Sequence, residues 1–300
     1  MTPTWSKRTL DLITAACEED LGTAGDITSA LLAVSDEQVS AGLVARQAGV
    51  ICGLALGPDI CATFSRRLGA TLQFTPASRG EQPCADGASV SPGTCVATIS
   101  GPRAAVLTVE RTLLNFLTHL SGVATLTRRY VQAARAVSPA VKILDTRKTL
   151  PGWRELHKYA VRIAGGTNHR FGLHDAVLIK DNHLAGIPVG GLATALEEML
   201  ARLTTQPSFV EVEIDSLAQL PEVCRVQRVD IVLLDNFTPE QMREAVAQRD
   251  AAGRDGRPEL EASGGVTFER IADIAATGVD RISCGALTHS APALDIGLDL

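Results

Sequence analysis

Lysine is scarce in this chain. Only five of its 28 basic residues are lysines, and none falls between Lys7 and Lys142. There is no basic tract, and a formal charge of −6 over 300 residues argues against a nucleic-acid-binding surface. No apolar run reaches the roughly 20 residues that cross a bilayer, so no membrane partner is expected. The N-terminus lacks the basic-then-apolar pattern of a secretory leader. The seven cysteines (Cys17, Cys52, Cys61, Cys84, Cys95, Cys224 and Cys284) are odd in number and scattered, with no CxxC pair. That reads as the reduced thiols of a cytoplasmic protein. Zinc is not expected either. Four of the six histidines fall between 157 and 183, but none pair at i, i+4 and no cysteine lies among them.

What is present concentrates between Asp145 and His183, in the run DTRKTLPGWRELHKYAVRIAGGTNHRFGLHDAVLIKDNH. Val141 to Leu144 reads as a short buried strand ending in Asp145-Thr146-Arg147-Lys148. Pro151-Gly152 is a turn signal, and Trp153 to Ile163 has helical spacing closed by Gly165-Gly166. His169-Arg170 follows in a loop. The next apolar run, Ala176 to Ile179, ends in Lys180-Asp181-Asn182-His183. Most charge runs are solvated faces. Here, however, two of the five lysines stand where successive strands stop, the place where parallel α/β folds bind ligands. Clustered cations there predict an anionic ligand.

The rest of the chain supplies a frame. Hydrophobic content of 45% gives ample core for one large domain or two ordinary ones. Residues 7–20 have helical spacing, with Leu10, Ile13, Ala16 and Cys17 on one face. From 41 to 101 short strands alternate with turns at Asp86-Gly87 and Pro92-Gly93, and Leu56 to Leu68 reads as a helix. This texture resembles biotinyl and lipoyl carriers, which need a lysine at a hairpin tip; the lysine-free stretch removes that role. Ala104 to Leu120 reads as a long helix. After His183 a strand–helix rhythm continues, with strand ends near 145, 180, 213, 235, 263 and 284. Phe209 to Asp215 alternates apolar residues with Glu211, Glu213 and Asp215. In an antiparallel sheet that acidic face would meet water; in a barrel it would point inward. Thr238-Pro239-Glu240 is a helix start. Ser263-Gly264-Gly265 and Ser283-Cys284-Gly285 are glycine-containing turns in the late units, where backbone N–H groups often bind phosphate.

The pieces DTRKT-PG, GG-x-NHR and LIKDNH, in that order, closely resemble the nicotinate-nucleotide pyrophosphorylase (quinolinate phosphoribosyltransferase) family. The molybdenum-operon relatives of that family share an RKT-PG element without the LIKDNH run. The EDLG-x-GD-x-TS segment before residue 30 and the ERT-x-LN run at Glu110 to Asn115 are similar too. Leu150, Trp153 and Ala164 depart from the usual residues, but no charged group is lost.

The resemblance implies an N-terminal α/β sandwich domain over 1–115, with the tail 287–300 packed on it. An α/β barrel of parallel strands, TIM-like and either closed or open, would span 116–286. It implies transfer of phosphoribosyl from 5-phosphoribosyl-1-pyrophosphate to quinolinate with loss of CO₂, and Mg²⁺ as cofactor, carried on the pyrophosphate near Glu213 and Asp235. Arg147 and Arg170 would clamp the carboxylates, joined by Arg111 from the partner of a homodimer, and Thr146 and His169 would bind substrate beside them. Lys148 and Lys180 would act as point charges on quinolinate and the leaving pyrophosphate. Glu213 and Asp235 would hold the ribose, and Ser263, Gly264, Gly265, Ser283, Cys284 and Gly285 the 5′-phosphate. Two rival readings stand beside this one. Lys180 would suit a Schiff-base lysine in an aldolase-like barrel, although one imine needs fewer cations. A non-catalytic anion-binding protein fits the cations but not the inward acids.

Overall fold

The computed structural model describes residues 3–32, 36–79, 82–252 and 257–300. The chain divides into two compact units. The first comprises Met1–Arg128, Thr149–Gly165 and Ser290–Leu300; the second comprises Arg129–Lys148 and Gly166–His289.

The first unit is built on a four-stranded antiparallel sheet. Its order is Ile296–Asp299, Gln38–Ala45, Cys95–Pro102, Gln73–Pro76, so the C-terminal tail forms one edge. Alternate residues of the central strands, among them Ala41, Leu43, Ala45 and Ile99, are fully buried. Helix Lys7–Leu21 starts at Ser6, whose side chain accepts from the Thr9 N–H. Its buried residues are Thr9, Ile13, Cys17 and Leu21, while Leu10 is 41% exposed. The inward face is thus rotated from the expected one, because the Thr9 hydroxyl donates to Glu155 and polar Thr9 turns inward with it.

Helix Arg103–Val137 runs well past the expected end at Leu120. Ser121-Gly122 looks like a stop, yet Gly122 serves close packing. A Cβ there would lie 2.1 Å from the Pro292 carbonyl oxygen of the returning tail. Buried Val123, Ala124, Val131 and Ala134 carry the apolar stripe onward.

In the second unit six strands pair in parallel in the order Lys142–Leu144, Arg281–Ser283, Glu259–Ser263, Ile231–Asp235, Val210–Ile214, Val177–Ile179. That is the cyclic order of an α/β barrel opened between its first and second strands. On the open side Lys142–Leu144 makes a single parallel bridge, Leu144 to Thr167. All of Val210–Ile214 is buried, so its acids belong to an interior rather than a wet face. Thr238 caps helix Pro239–Ala251: it accepts from the Gln241 N–H at 3.3 Å, and the Gln241 side chain accepts from the Thr238 N–H at 2.8 Å. Among the described residues no helix is long and apolar enough to cross a membrane.

Candidate active site

All six strand ends of the second unit's parallel sheet and the loop after Thr167 border one cavity of about 590 Å³, within the usual range for a small-molecule site. Its lining brings together Thr146, Arg147, Lys148, His169, Arg170, Lys180, Glu213, Asp235, Ser263, Gly264, Gly265 and Ser283 from the expected set. Leu178, Leu233, Asn236 and Glu261 line it as well. A second hollow of about 890 Å³ lies against helices Leu220–Arg225 and Pro239–Ala251. Arg225 is the one charged residue of its described lining, and no strand-end residue reaches it. The strand-end charges gather in the smaller cavity.

Each cation is held in a different way. The Thr146 hydroxyl accepts from the Lys148 N–H at 3.0 Å, and buried Thr288 donates to the Lys148 carbonyl at 2.7 Å. This bends the chain so that Arg147 and Lys148 stand exposed at the strand end. Lys180 ends the second strand and pairs with Glu213 at 2.7 Å. Arg170 is 8% exposed. Burial, then the charge of Arg147, lowers its pKa from the ordinary value despite Glu211 and Asp175. A buried guanidinium short of counter-charge is prepared for an anion.

His169 Nε2 lies 2.9 Å from Glu211 Oε2 and 3.3 Å from Glu261 Oε1. One N–H cannot point at both, and neither Glu211 oxygen has an aligned donor. The three residues form a shared buried ion pair, with Arg281 Nε on Glu261 at 2.7 Å. Burial alone would lower the His169 pKa, but the two carboxylates reverse that and push it up to about 10. A competing contact exists: Nδ1 accepts from the Arg170 N–H at 2.8 Å, which suits a neutral ring. Losing that bond costs about 1 kcal/mol. Leaving buried carboxylates uncompensated costs about 3–5 kcal/mol, so the charged ring prevails. The same carboxylates diverge: Glu211 is raised by burial and by Glu261, while Glu261, despite burial, is lowered by His169 and Arg281.

The phosphate-like corner depends on backbone shape. Gly264 has φ of 88° and Asn236 has φ of 57°. A Cβ on Gly264 would come within 2.2 Å of Asn236 Oδ1, so only glycine fits that turn. Cys284 and Gly285 do not line the cavity. Cys284 is buried, with its Sγ against the Val266 carbonyl at 3.6 Å. Gly285 leaves room for the Lys148 side chain; a Cβ would meet Lys148 Cδ at 2.9 Å. Arg111 is an exposed residue of helix Arg103–Val137 in the first unit.

Two lining residues had a readable signal. Glu261 alternates with Glu259 in ELEAS as Glu213 does with Glu211, and Asn236 is a residue type that tolerates positive φ. Leu178 and Leu233 carry none, since apolar strand residues face either way.

Comparison with known proteins places the chain in a family. Residues 26–121 match the N-terminal domain of quinolinate phosphoribosyl transferase and residues 123–299 its C-terminal domain. The chain is 42% identical over 290 residues to the nicotinate-nucleotide pyrophosphorylase [carboxylating] of Mycobacterium leprae, covering 97% of this chain and 96% of that protein. It is 37% identical to the chloroplastic protein of that name from Arabidopsis thaliana, covering 96% and 82%. The solved nicotinate-nucleotide pyrophosphorylase of Francisella tularensis superposes with a TM-score of 0.84 at 35% identity, covering 99% of this chain and 98% of that one. The chain belongs to the quinolinate phosphoribosyltransferase family.

Proposed function

We propose that this cavity is where the chain makes nicotinate mononucleotide from quinolinate and 5-phosphoribosyl-1-pyrophosphate, releasing pyrophosphate and CO₂ in the biosynthesis of NAD. The observation that carries the reading is the charge layout. Five cations (Arg147, Lys148, His169, Arg170, Lys180) face three carboxylates (Glu213, Asp235, Glu261) across one cavity, in a chain whose net charge is −6. Two anionic substrates meeting through a cationic centre require both signs in one place.

In this reading Arg147, His169 and Arg170, with Thr146, clamp the dicarboxylate, for which planar guanidinium forks are suited. Lys148 and Lys180 act as point charges on quinolinate and the departing pyrophosphate. Glu213 and Asp235 hold the ribose hydroxyls and favour positive charge developing at the anomeric carbon. Ser263, Gly264, Gly265 and Ser283 cradle the 5′-phosphate, with Cys284 and Gly285 shaping that strand end and the lysine beside it. Loss of CO₂ needs no further group, because the alkylated pyridinium nitrogen accepts the electrons. The protein's share is positioning and electrostatics.

Glu213 and Asp235 offer hard oxygen donors, but Glu213 is already paired with Lys180. The pair therefore suits a Mg²⁺ that arrives on pyrophosphate oxygens better than a resident ion. Such an ion would supply neutralisation of the leaving group's charge. The Lys180–Glu213 pairing also holds the Lys180 amine against a carboxylate, which does not suit a Schiff-base lysine that must meet a carbonyl carbon. We assign residues 1–115, with 287–300, to the N-terminal domain and 116–286 to the barrel, and place the enzyme in the cytoplasm. It works as a homodimer whose Arg111 completes the partner's quinolinate clamp. Incubation with quinolinate, phosphoribosyl pyrophosphate and Mg²⁺ tests the reading: nicotinate mononucleotide and CO₂ should appear in equal amounts. Absence of both products from folded protein would overturn it.

A further inference from the structure

Asp145 is fully buried and does not line the cavity, yet it stands between the first strand and the first cation pair. The chain leaves the second unit after Lys148 and returns at Gly166. On return, Thr167 makes one rung of parallel ladder: its N–H donates to the Ile143 carbonyl at 2.8 Å, and its carbonyl accepts from the Asp145 N–H at 3.3 Å. The described chain forms no further rung on Lys142–Leu144 there, because the barrel is open on that side. The next main-chain donor, the His169 N–H, has no ladder carbonyl to meet. It donates instead to Asp145 Oδ1 at 2.8 Å, while the Asn168 side chain donates to Oδ2 at 2.8 Å. A charged carboxylate takes two donors at once and holds each more firmly than a carbonyl does.

The consequences run outward from that clamp. With its N–H fixed, His169 lies with Nδ1 2.8 Å from the Arg170 backbone nitrogen and presents Nε2 to Glu211 and Glu261. Arg170 donates to the Ala176 carbonyl at 3.4 Å, and Asp175 accepts from the N–H groups of Phe171 and Gly172 at 2.6 and 2.8 Å. The loop carrying the second cation pair is therefore anchored at one end by Asp145 and closed at the other by Asp175.

We propose that Asp145 is the positioning residue for the quinolinate end of the site: its carboxylate stands in for the missing strand and fixes where His169 and Arg170 enter the cavity. This rests on the functional reading above. Small displacements of a binding group cost affinity steeply, about a hundredfold per ångström in unfavourable cases. The residues assigned to the 5′-phosphate lie at the ends of other strands, and Lys148, at the same strand end as Asp145, is held by Thr146 and Thr288 instead.

The test is calorimetric binding of quinolinate and of phosphoribosyl pyrophosphate to the intact protein, with thermal unfolding as a check on folding. Asp145→Asn keeps the shape but sets an amide N–H₂ against one of the two donors. Quinolinate binding should weaken about tenfold or more while phosphoribosyl pyrophosphate binding stays within about threefold. Asn168→Ala removes one donor and leaves Asp145 in place; about threefold weaker quinolinate binding is expected. It decides the matter should Asp145→Asn not fold. Quinolinate affinity within about twofold of wild type, or equal weakening for both ligands, would overturn the proposal. Wild-type protein that binds no quinolinate would instead overturn the functional reading beneath it.

Discussion

The two lysines at the strand ends are held differently, and each carries a prediction. Lys148 is fixed through its backbone by Thr146 and Thr288, and Lys180 through its side chain by Glu213. Truncating either leaves an anionic substrate without a partner in the site, at a cost of about 1–3 kcal/mol. Lys148→Ala and Lys180→Ala should each lose well over about tenfold in kcat with Tm little changed. Steady-state rates and a thermal melt check this, and a fully active Lys148→Ala enzyme removes Lys148 from the site. Lys158 is not the neutral control its surface-like helical position suggests. It is 4% exposed, so its removal disturbs a packed interior. A better control is Lys7, exposed and paired only within its own helix to Asp11.

Two histidines predict opposite limbs of a pH–stability profile. His169 has its pKa raised to about 10, so its proton stabilises the fold fully below about 6.5 and that contribution is lost as pH rises through 10. His157 is fully buried, its Nε2 2.7 Å from His119 Nε2 and its Nδ1 without a partner. Burial, then the nearby His119, lowers its pKa to about 4. The fold keeps it neutral, so stability is lost as pH falls from about 6.5 through 4. Urea unfolding from pH 4.5 to 9.5 should show a shallower alkaline slope in His169→Asn and a shallower acid slope in His157→Gln. Slopes identical to wild type in both would contradict these protonation states.

At the scale of elements, the strands of the second unit were readable because each ends where an apolar run meets polar or charged residues. Observed ends at Leu144, Ile179, Ile214, Asp235, Ser263 and Ser283 fall within a residue of the expected ones. The helices were less readable. Gly122 resembles a terminator and is a packing residue, and Thr9 turns inward because of a partner 146 residues away. The same divide runs through the site. Its cations declare themselves by charge at strand ends. Glu261 and Asn236 leave only the indirect signals of alternation and residue type, because their roles depend on which way a strand faces and on a positive φ, and the role of Asp145 depends on an open barrel edge that no residue marks. Gly264 stands between these cases. Gly264→Ala would force φ of 88° on an L-residue and push Cβ into Asn236. The strain is about 1–3 kcal/mol. The KM for phosphoribosyl pyrophosphate should rise about tenfold with quinolinate binding near wild type. An unchanged KM would show that this turn does not hold the phosphate.

For the whole molecule, a chain of net charge −6 gathers five cations around one cavity, and the reading adds Arg111 from a second copy. Arg111→Ala and Arg170→Ala should each be nearly inactive alone. After subunit exchange about half of the dimers are mixed, and each has one site with both arginines intact, so activity should recover to about a quarter of wild type. Exchange confirmed by mass without recovery would show that Arg111 does not serve its neighbour.

The most direct test of the central claim, that the cation cluster reads two carboxylates, is a comparison of acids. Nicotinate lacks the carboxylate at ring carbon 2 and would leave the buried Arg170 guanidinium without its substrate carboxylate, at about 2–5 kcal/mol. Measured as kcat/KM with phosphoribosyl pyrophosphate and Mg²⁺, quinolinate should be preferred over nicotinate by about thirtyfold or more. Comparable values for the two acids would contradict the account.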